Sequence, residues 1–108
     1  MNKVVLITGG ARGIGSAIAL ELAKHGYDIV INYLTSKQPA KELKEKIESQ
    51  YHVRCLTICA DVSDVDQVNI MVSEIEEKMG GVDVLINNAA VDLSNLFHLK
   101  NAEEFKRT

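Results

Sequence analysis

Residues 4–15, VVLITGGARGIG, decide the fold, because an apolar run passes directly into a glycine-rich turn and then into a helical pattern. Val4–Thr8 is typical of a strand buried on both faces of a parallel sheet. Helical spacing of apolar residues follows, and Gly26 is a natural left-handed cap where that helix stops. The residues expected on the inward face of this helix are Ile14, Ala17, Ile18 and Leu22.

Composition limits the class of protein. The chain has 108 residues, of which 46% are hydrophobic, and a net charge of −3, which is typical of one globular unit. A slightly acidic chain with few aromatic residues has no field that recruits nucleic acid. The apolar run near the start is too short for a membrane span or a signal segment, so a cytoplasmic location without membrane contact is expected.

Cysteine and histidine spacing predicts neither a disulfide nor a metal site. Cys55 and Cys59 fall on one predicted strand, where their Cα atoms would be roughly 13 Å apart. We interpret both as reduced thiols in the core. His25, His52 and His98 are scattered without ligand spacing, and we interpret them as solvated or capping side chains.

Strands and helices alternate along the rest of the chain. Further strands are predicted over 27–33, 53–59 and 82–87, and Asn101 with Glu104 indicates a fourth helix that runs to the chain end. The order βαβαβαβ(α) predicts a parallel sheet with right-handed crossovers in a three-layer α/β/α arrangement. This is the first half of a Rossmann-like doubly wound fold, with strand order 3-2-1-4 and one domain over 1–108.

Capping signals bound the second and third helices. Pro39 fits the first turn of the second helix, which runs to about Gln50. Ser63 with Asp66 resembles a capping box at the start of the third, and Gly80 with its following glycine ends it. The expected inward residues are Leu43 and Ile47 in the second helix and Val65, Val68, Val72, Ile75 and Met79 in the third.

The glycine turn is a candidate phosphate-binding loop. Gly9 permits a sharp turn, while Gly13 and Gly15 let backbone N–H groups and the helix N-terminus approach a pyrophosphate closely. The spacing differs from G-x-G-x-x-G, but a position between a buried strand and a helix is the context that such a motif requires. The alternative is a glycine cluster that serves only strand-to-helix packing.

Three motifs in chain order resemble those of the short-chain dehydrogenase/reductase family. TGGARGIG is similar to its TGxxxGIG turn, Asp61-Val62 to its D-V pair after strand three, and residues 87–90, NNAA, to its NNAG. The resemblance covers the whole chain. TGGARGIG together with VINY and a following serine looks most like the 3-oxoacyl-acyl-carrier-protein reductases, which reduce β-ketoacyl thioesters with NADPH. Related sugar and alcohol dehydrogenases share these segments.

The resemblance implies a cofactor-binding role for each motif. Residues 9–15 would wrap the pyrophosphate, Asp61 and Val62 would hold the adenine, and residues 88–90 would line the ribose and nicotinamide side. Ala90 replaces a glycine of the family pattern, and binding is expected to survive this change. The full candidate set is Gly9, Ala11, Arg12, Gly13, Ile14, Gly15, Asn32, Tyr33, Ser36, Asp61, Val62, Asn88, Ala89 and Ala90.

Charge at the end of strand two predicts the choice of cofactor. An acidic residue there would bond the ribose 2′-hydroxyl of NAD and repel a 2′-phosphate, yet the chain has the neutral pair Asn32 and Tyr33. Arg12 in the glycine turn adds a positive charge, so NADP is predicted over NAD. Lys37 or Ser36 is a further candidate phosphate contact. The alternative for Arg12 is a solvated surface cation.

No residue of the chain is assigned a catalytic role. The resemblance implies an active-site serine, tyrosine, lysine and asparagine, all expected beyond Thr108. Tyr33 and Lys37 match the family's Y-x-x-x-K spacing, but Tyr33 ends strand two, at the adenosine end of the cleft. The chain is therefore expected to be inactive by itself, and the alternative is a nucleotide-binding or interaction module without turnover.

Partners follow from the same resemblance. The family pattern implies a carbonyl substrate, either a small molecule or one bound to an acyl carrier, and a homo-oligomer, a tetramer for the full-length enzyme. Strand four is expected to form a long apolar edge of the sheet. Such an edge templates pairing with another chain, so association through it is predicted.

Overall fold

The computed structural model describes residues 2–88 and 106–107. Over residues 2–88, strands and helices alternate as the sequence predicts. No described helix is long and apolar enough to cross a membrane. The elements are β1 (Val4–Thr8), α1 (Gly13–Lys24), β2 (Asp28–Tyr33), α2 (Lys37–Tyr51), β3 (Cys55–Cys59), α3 (Val65–Met79), β4 (Val84–Asn87) and β5 (Lys106–Arg107).

The strands form one parallel sheet in the order β3-β2-β1-β4-β5, which confirms the predicted order 3-2-1-4. The last strand corrects two expectations. Lys106 and Arg107 are extended and pair with Ile86 and Asn87, so no helix runs to the chain end and β4 is not a free edge along its last two residues. The predicted start of that helix, at 101–104, lies outside the described residues.

Helices cover both faces of the sheet. Val5 and Ile7 of β1 belong to the core packed against α1 and α2, whereas Val4 and Leu6 belong to the core packed against α3. Side chains alternate between the two faces of a strand, so a continuous apolar run is needed when both faces are covered. The three-layer α/β/α arrangement is confirmed.

The inward face of α1 differs from the predicted one. Its fully buried positions are small residues, at Gly15, Ala19 and Ala23, and Ile18 and Leu22 pack against the same core only in part. Small side chains let the helix axis approach the sheet closely, so the packing is decided by glycine and alanine rather than by the larger apolar residues. The predicted inward residues Ile14 and Ala17 are exposed.

The start of α3 lies one residue later than predicted. Asp64 is the N-cap, and its side chain accepts hydrogen bonds from the backbone N–H groups of Asp66 and Gln67. The Gln67 side chain reaches back to the Asp64 carboxylate at 3.1 Å, so the pair Asp64 and Gln67 replaces the predicted Ser63 and Asp66. Val65 is consequently in the first turn and exposed. The buried stripe is Val68, Met71, Ile75 and Met79.

Other helix signals are confirmed. Gly26 and Gly80 have φ angles of 90° and 80°, the left-handed conformation expected after α1 and α3. Pro39 lies in the first turn of α2. His25 contacts the Glu21 carbonyl oxygen through Nδ1 at 2.8 Å, as a capping side chain does. Leu43 and Ile47 are buried as predicted, and His52 is the C-cap of α2; His98 lies outside the described residues.

The two cysteines differ in exposure, which corrects one of the two predicted core thiols. Both are free; Cys55 is buried, whereas Cys59 is exposed because it is the last residue of β3 at the outer edge of the sheet. Burial raises the pKa of the Cys55 thiol to about 12. Among the described residues, no group of three histidine, cysteine or acidic side chains is placed to hold a metal ion.

This difference predicts selective thiol modification. At pH 8, a disulfide reagent is expected to modify Cys59 at least about 100-fold faster than Cys55, because only the thiolate attacks and the Cys55 thiolate is suppressed by burial. Intact mass measured against time gives both rates. Cys59→Ser is the control and should remove the fast phase alone. Equal rates for the two thiols in the folded chain would contradict the burial of Cys55.

A buried ion pair joins β2 to the turn before β3, at the end of the sheet opposite to the glycine turn. The Asp28 side chain is 2% exposed and accepts hydrogen bonds from Arg54 Nε at 2.9 Å and Arg54 N at 2.9 Å. Asn2 Nδ2 donates a further bond at 3.2 Å. Burial raises the pKa of Asp28, but the bonds and the charge of Arg54 outweigh it, and the net pKa is lowered.

Candidate functional site

The glycine turn lies at the carboxyl end of the sheet, where it leaves β1 after Thr8 and enters α1 at Gly13. Gly9 has a φ of 63° and Gly13 a φ of 56°, both in the left-handed region that glycine adopts without a steric penalty. The sharp turn expected at Gly9 is therefore present. At Gly13 a Cβ atom would meet nothing within 4 Å, so backbone conformation alone favours glycine there.

Gly15 is required for a different reason, which is close packing. A Cβ atom at Gly15 would lie 2.6 Å from the Gly9 carbonyl oxygen, 2.8 Å from the Gly10 Cα and 2.8 Å from Asn88 Nδ2. Each distance is shorter than van der Waals contact. The packing role that the sequence left open for the glycines thus applies to Gly15, which seats the first turn of α1 against the glycine turn.

The N-terminus of α1 is open to an anion. Its N-cap residue is Arg12, which makes no side-chain capping bond, and no acidic residue occupies the first turn. Gly13 is exposed, and so is the side chain of Ile14. Backbone N–H groups at the start of a helix have no partner within the helix and carry its positive dipole end. This geometry suits a phosphate group.

Asn32 holds the glycine turn from the β2 side. Its Oδ1 accepts a hydrogen bond from Gly9 N at 3.3 Å, and its backbone oxygen accepts one from Gly10 N at 3.0 Å. Its Nδ2 donates to the Ala60 carbonyl oxygen at 3.0 Å. The side chain is 3% exposed. Asn32 therefore lies inside the protein beside the cleft, where it connects two loops.

Asn88 holds the same turn from the β4 side. Its Nδ2 donates a hydrogen bond to the Gly9 carbonyl oxygen at 3.1 Å. Next to it, Thr8 Oγ1 donates to Asn87 Oδ1 at 3.0 Å, and both of these side chains are buried. Asn87 and Asn88 thus join β4 to the end of β1 and to the glycine turn. This structural role was not part of the ribose-side role expected from the sequence.

A cleft opens between the glycine turn and the segment after β2. Arg12 is exposed at this cleft, and Tyr33 is half-buried in its wall. The described residues that line the cleft include one cation and no carboxylate. They are Gly9, Ala11, Arg12, Tyr33, Leu34, Thr35 and Ser36.

The segment after β3 is ordered by its own hydrogen bonds. Asp61 Oδ1 accepts bonds from Ser63 N at 2.9 Å and from Ser63 Oγ at 2.6 Å, and these bonds lower the pKa of the Asp61 carboxyl. The Asp61 N–H donates to Gln67 Oε1 at 2.8 Å. Val62 is half-buried against the core beneath α3. Asp61 is thus held as a carboxylate at the carboxyl end of the sheet.

The structure brings most of the predicted site residues to one end of the sheet. Three of them, Ala11, Gly15 and Asn32, are buried rather than exposed. Lys37 is the exposed first residue of α2 and lies outside the cleft wall. Ala89 and Ala90 lie outside the described residues. Leu34 and Thr35 line the cleft but were not predicted as site residues. They could have been predicted, because they directly follow β2, and ligands bind at the carboxyl ends of such strands.

A parallel sheet whose first strand leads through a glycine turn into an uncapped helix defines the Rossmann-like class of α/β proteins. The chain belongs to the short-chain dehydrogenase/reductase family of oxidoreductases, since a family model described as short chain dehydrogenase matches residues 3–108. Over 105 residues, it is 40% identical to the 3-oxoacyl-acyl-carrier-protein reductase FabG of Staphylococcus aureus. That match covers 97% of this chain and 42% of the relative, so the chain spans about two-fifths of the relative's length.

Two solved structures illustrate the structural similarity. L-sorbose reductase from Gluconobacter frateurii, complexed with NADPH and L-sorbose, is 34% identical with a TM-score of 0.77, and the match covers 83% of this chain and 34% of that one. The NADH-dependent reductase A1-R', complexed with NAD, is 33% identical with a TM-score of 0.75 and coverages of 83% and 37%. Similar folds thus carry either cofactor.

Proposed function

We propose that this chain is the cofactor-binding half of an NADPH-dependent reductase that transfers a hydride to a carbonyl group. The proposed substrate class is a 3-oxoacyl thioester, free or on an acyl carrier, and the identity to the staphylococcal reductase supports it. The alternative function is that of a sugar or alcohol dehydrogenase of the same family, which the similarity to L-sorbose reductase supports. Bound NADPH would supply the hydride, while residues of this chain bind and orient the nucleotide.

The observation that carries the choice of NADP is the charge of the cleft. Its described lining holds the Arg12 guanidinium and the Ser36 hydroxyl and lacks a carboxylate. A 2′-phosphate carries negative charge and pairs well with a guanidinium, whereas an acidic side chain at this place would repel it. NAD lacks the 2′-phosphate and cannot form this ion pair with Arg12, so NAD is the less favoured cofactor.

The remaining contacts of the proposed site are those that the sequence predicts. The open N-terminus of α1, with Gly13 and Ile14, would hold the pyrophosphate. Asp61 and Val62 would hold the adenine, and residues 88–90 would line the nicotinamide side. Serine, tyrosine, lysine and asparagine of the reaction are proposed to lie outside these 108 residues. A cytoplasmic location and a homo-oligomeric assembly, a tetramer for the full-length enzyme, complete the proposal.

The test compares NADPH and NADH binding by the 108-residue chain and by its Arg12→Ala variant. The wild-type chain should bind NADPH weakly, and more tightly than NADH, without oxidising it when a 3-oxoacyl thioester is added. Arg12→Ala should weaken NADPH binding about tenfold and leave NADH binding within about twofold, because only NADPH carries the 2′-phosphate. Titration followed by nuclear magnetic resonance measures both affinities.

Lys24→Ala is the matched control, since Lys24 is an exposed cation in the last turn of the same helix. It should leave both affinities unchanged. Equal losses of NADPH and NADH binding in Arg12→Ala would contradict the assignment of Arg12 to the 2′-phosphate. Absence of binding of either nucleotide to the wild-type chain would overturn the proposed function.

A further inference from the structure

Asn32 stands near the end of β2, where an acidic residue of an NAD-binding fold would meet the ribose. Its side chain instead points into the protein and is 3% exposed. Both polar ends of the carboxamide are used there. The oxygen accepts the Gly9 N–H, and the nitrogen donates to the Ala60 carbonyl oxygen.

We infer that Asn32 is a positioning residue that sets the separation between the glycine turn and the loop after β3, so that a ligand that spans both loops fits. The inference rests on the proposed function, since that ligand is a dinucleotide. Asn32 itself does not contact the ligand in this arrangement. It acts through the two backbone segments to which it is bonded.

Four hydrogen bonds join the two loops to Asn32 and Tyr33, the last two residues of β2. Gly9 and Gly10 donate to the Oδ1 and the backbone oxygen of Asn32 at 3.3 Å and 3.0 Å. On the other side, Ala60 donates its N–H to the Tyr33 oxygen at 2.9 Å and accepts from Asn32 Nδ2 at 3.0 Å. Two of the four bonds are made by the Asn32 carboxamide, which therefore connects one loop directly to the other.

The chemistry of the two contacts selects asparagine. Gly9 presents a donor and Ala60 presents an acceptor, so the side chain between them must accept at one end and donate at the other. An aspartate would keep the bond from Gly9 but place a second oxygen against the Ala60 carbonyl oxygen. A leucine has a similar shape and would leave both backbone groups without these bonds in a buried place.

The hydrogen bond from Gly9 N to Asn32 also determines which backbone N–H groups of the glycine turn remain available to bind a phosphate. Because the Gly9 N–H is directed to Asn32 and the Gly9 oxygen accepts from Asn88, the Gly9 peptide groups are held on both sides by protein. A phosphate would therefore be bound from the N-terminus of α1. Discrimination at the 2′ position passes from Asn32 to the cleft residues Arg12, which is exposed, and Ser36, which is half-buried.

The experiment measures the affinities of wild-type chain, Asn32→Leu and Asn32→Asp for two ligands, NADPH and adenosine. NADPH spans both loops, whereas adenosine lacks the pyrophosphate and contacts only the adenine side. Asn32→Leu and Asn32→Asp should each weaken NADPH binding at least about tenfold and leave adenosine binding within about twofold. Amide hydrogen exchange should become faster at Gly9 in Asn32→Leu alone, because aspartate keeps the bond from Gly9, and at residues next to Ala60 in both variants.

Arg54→Ala is the control for a purely structural effect, because Arg54 bonds Asp28 at the opposite end of the sheet. It should lower the thermal midpoint and leave both affinities unchanged below the transition. If Asn32→Leu does not fold, Asn32→Asp carries the comparison. Wild-type NADPH affinity in the variants, or equal losses for NADPH and adenosine, would overturn the inference while leaving the proposed function intact. A wild-type chain that binds neither ligand would overturn both.

Discussion

Gly15→Ala is expected to lower the free energy of unfolding by about 3 kcal/mol, because overpacking a closely packed site forces backbone shifts. The added Cβ would meet the Gly9 oxygen at 2.6 Å and two further atoms at 2.8 Å. Two of the three atoms belong to backbone, which cannot rotate away as the end of a flexible side chain does. The glycine turn would have to move, so NADPH binding should become undetectable. Chemical denaturation and a nucleotide titration measure the two effects.

Gly13→Ala is the matched comparison, since it adds the same methyl group two residues earlier. Gly13 has a φ of 56° but no atom within 4 Å of its Cβ position, so only backbone strain of about 1 kcal/mol is expected. A loss of stability in Gly15→Ala no larger than that in Gly13→Ala would show that packing against the turn does not determine the need for glycine at position 15.

Arg54→Ala is expected to have the second largest effect, about 2 kcal/mol of unfolding free energy. This is less than the cost of breaking a fully buried pair, because the Arg54 side chain is 46% exposed. The substitution leaves the Asp28 carboxylate buried without its guanidinium partner. The backbone bond from residue 54 and the bond from Asn2 remain. Lys78→Ala, which removes an exposed pair with Glu74, is the control and should change stability little.

The same pair predicts how stability depends on pH. The pKa of Asp28 is lowered below its ordinary value of 3.8 in the folded chain. Folding therefore favours the carboxylate, and this stabilisation is present above pH 4 and is lost as the pH falls through the folded pKa. Arg54→Ala should move the midpoint of acid unfolding to higher pH, as followed by circular dichroism. An unchanged midpoint would contradict the role of Arg54.

Local patterns were sufficient for the elements from β1 to β4 and for their order. The apolar run of β1, the glycines that end α1 and α3, and Pro39 in α2 each act through a few neighbouring residues, so they can be recognised without knowing the fold. Alternation of strands and helices then leaves few topologies, because crossovers between parallel strands are right-handed. The candidate site was found for the same reason, since ligands bind at the carboxyl ends of such strands.

Burial was less predictable, because it depends on what covers each face. Ile14 is 70% exposed although it continues an apolar stripe, since the first turn of α1 borders the open site. Cys59 has the same strand parity as Cys55, yet it is exposed at the end of the edge strand. In both cases the sequence pattern is that of a core residue, but no other described element packs over the side chain.

Sequence alone determined the parallel α/β architecture, the glycine turn and the set of side chains at one end of the sheet, because these follow from periodicity and from short motifs. Only the tertiary structure decided what two of those residues do. Gly15 is needed for packing against Gly9, and Asn32 turns inward to join two loops. Such roles depend on contacts between segments distant in sequence, and the direction of a side chain is fixed only when those segments meet.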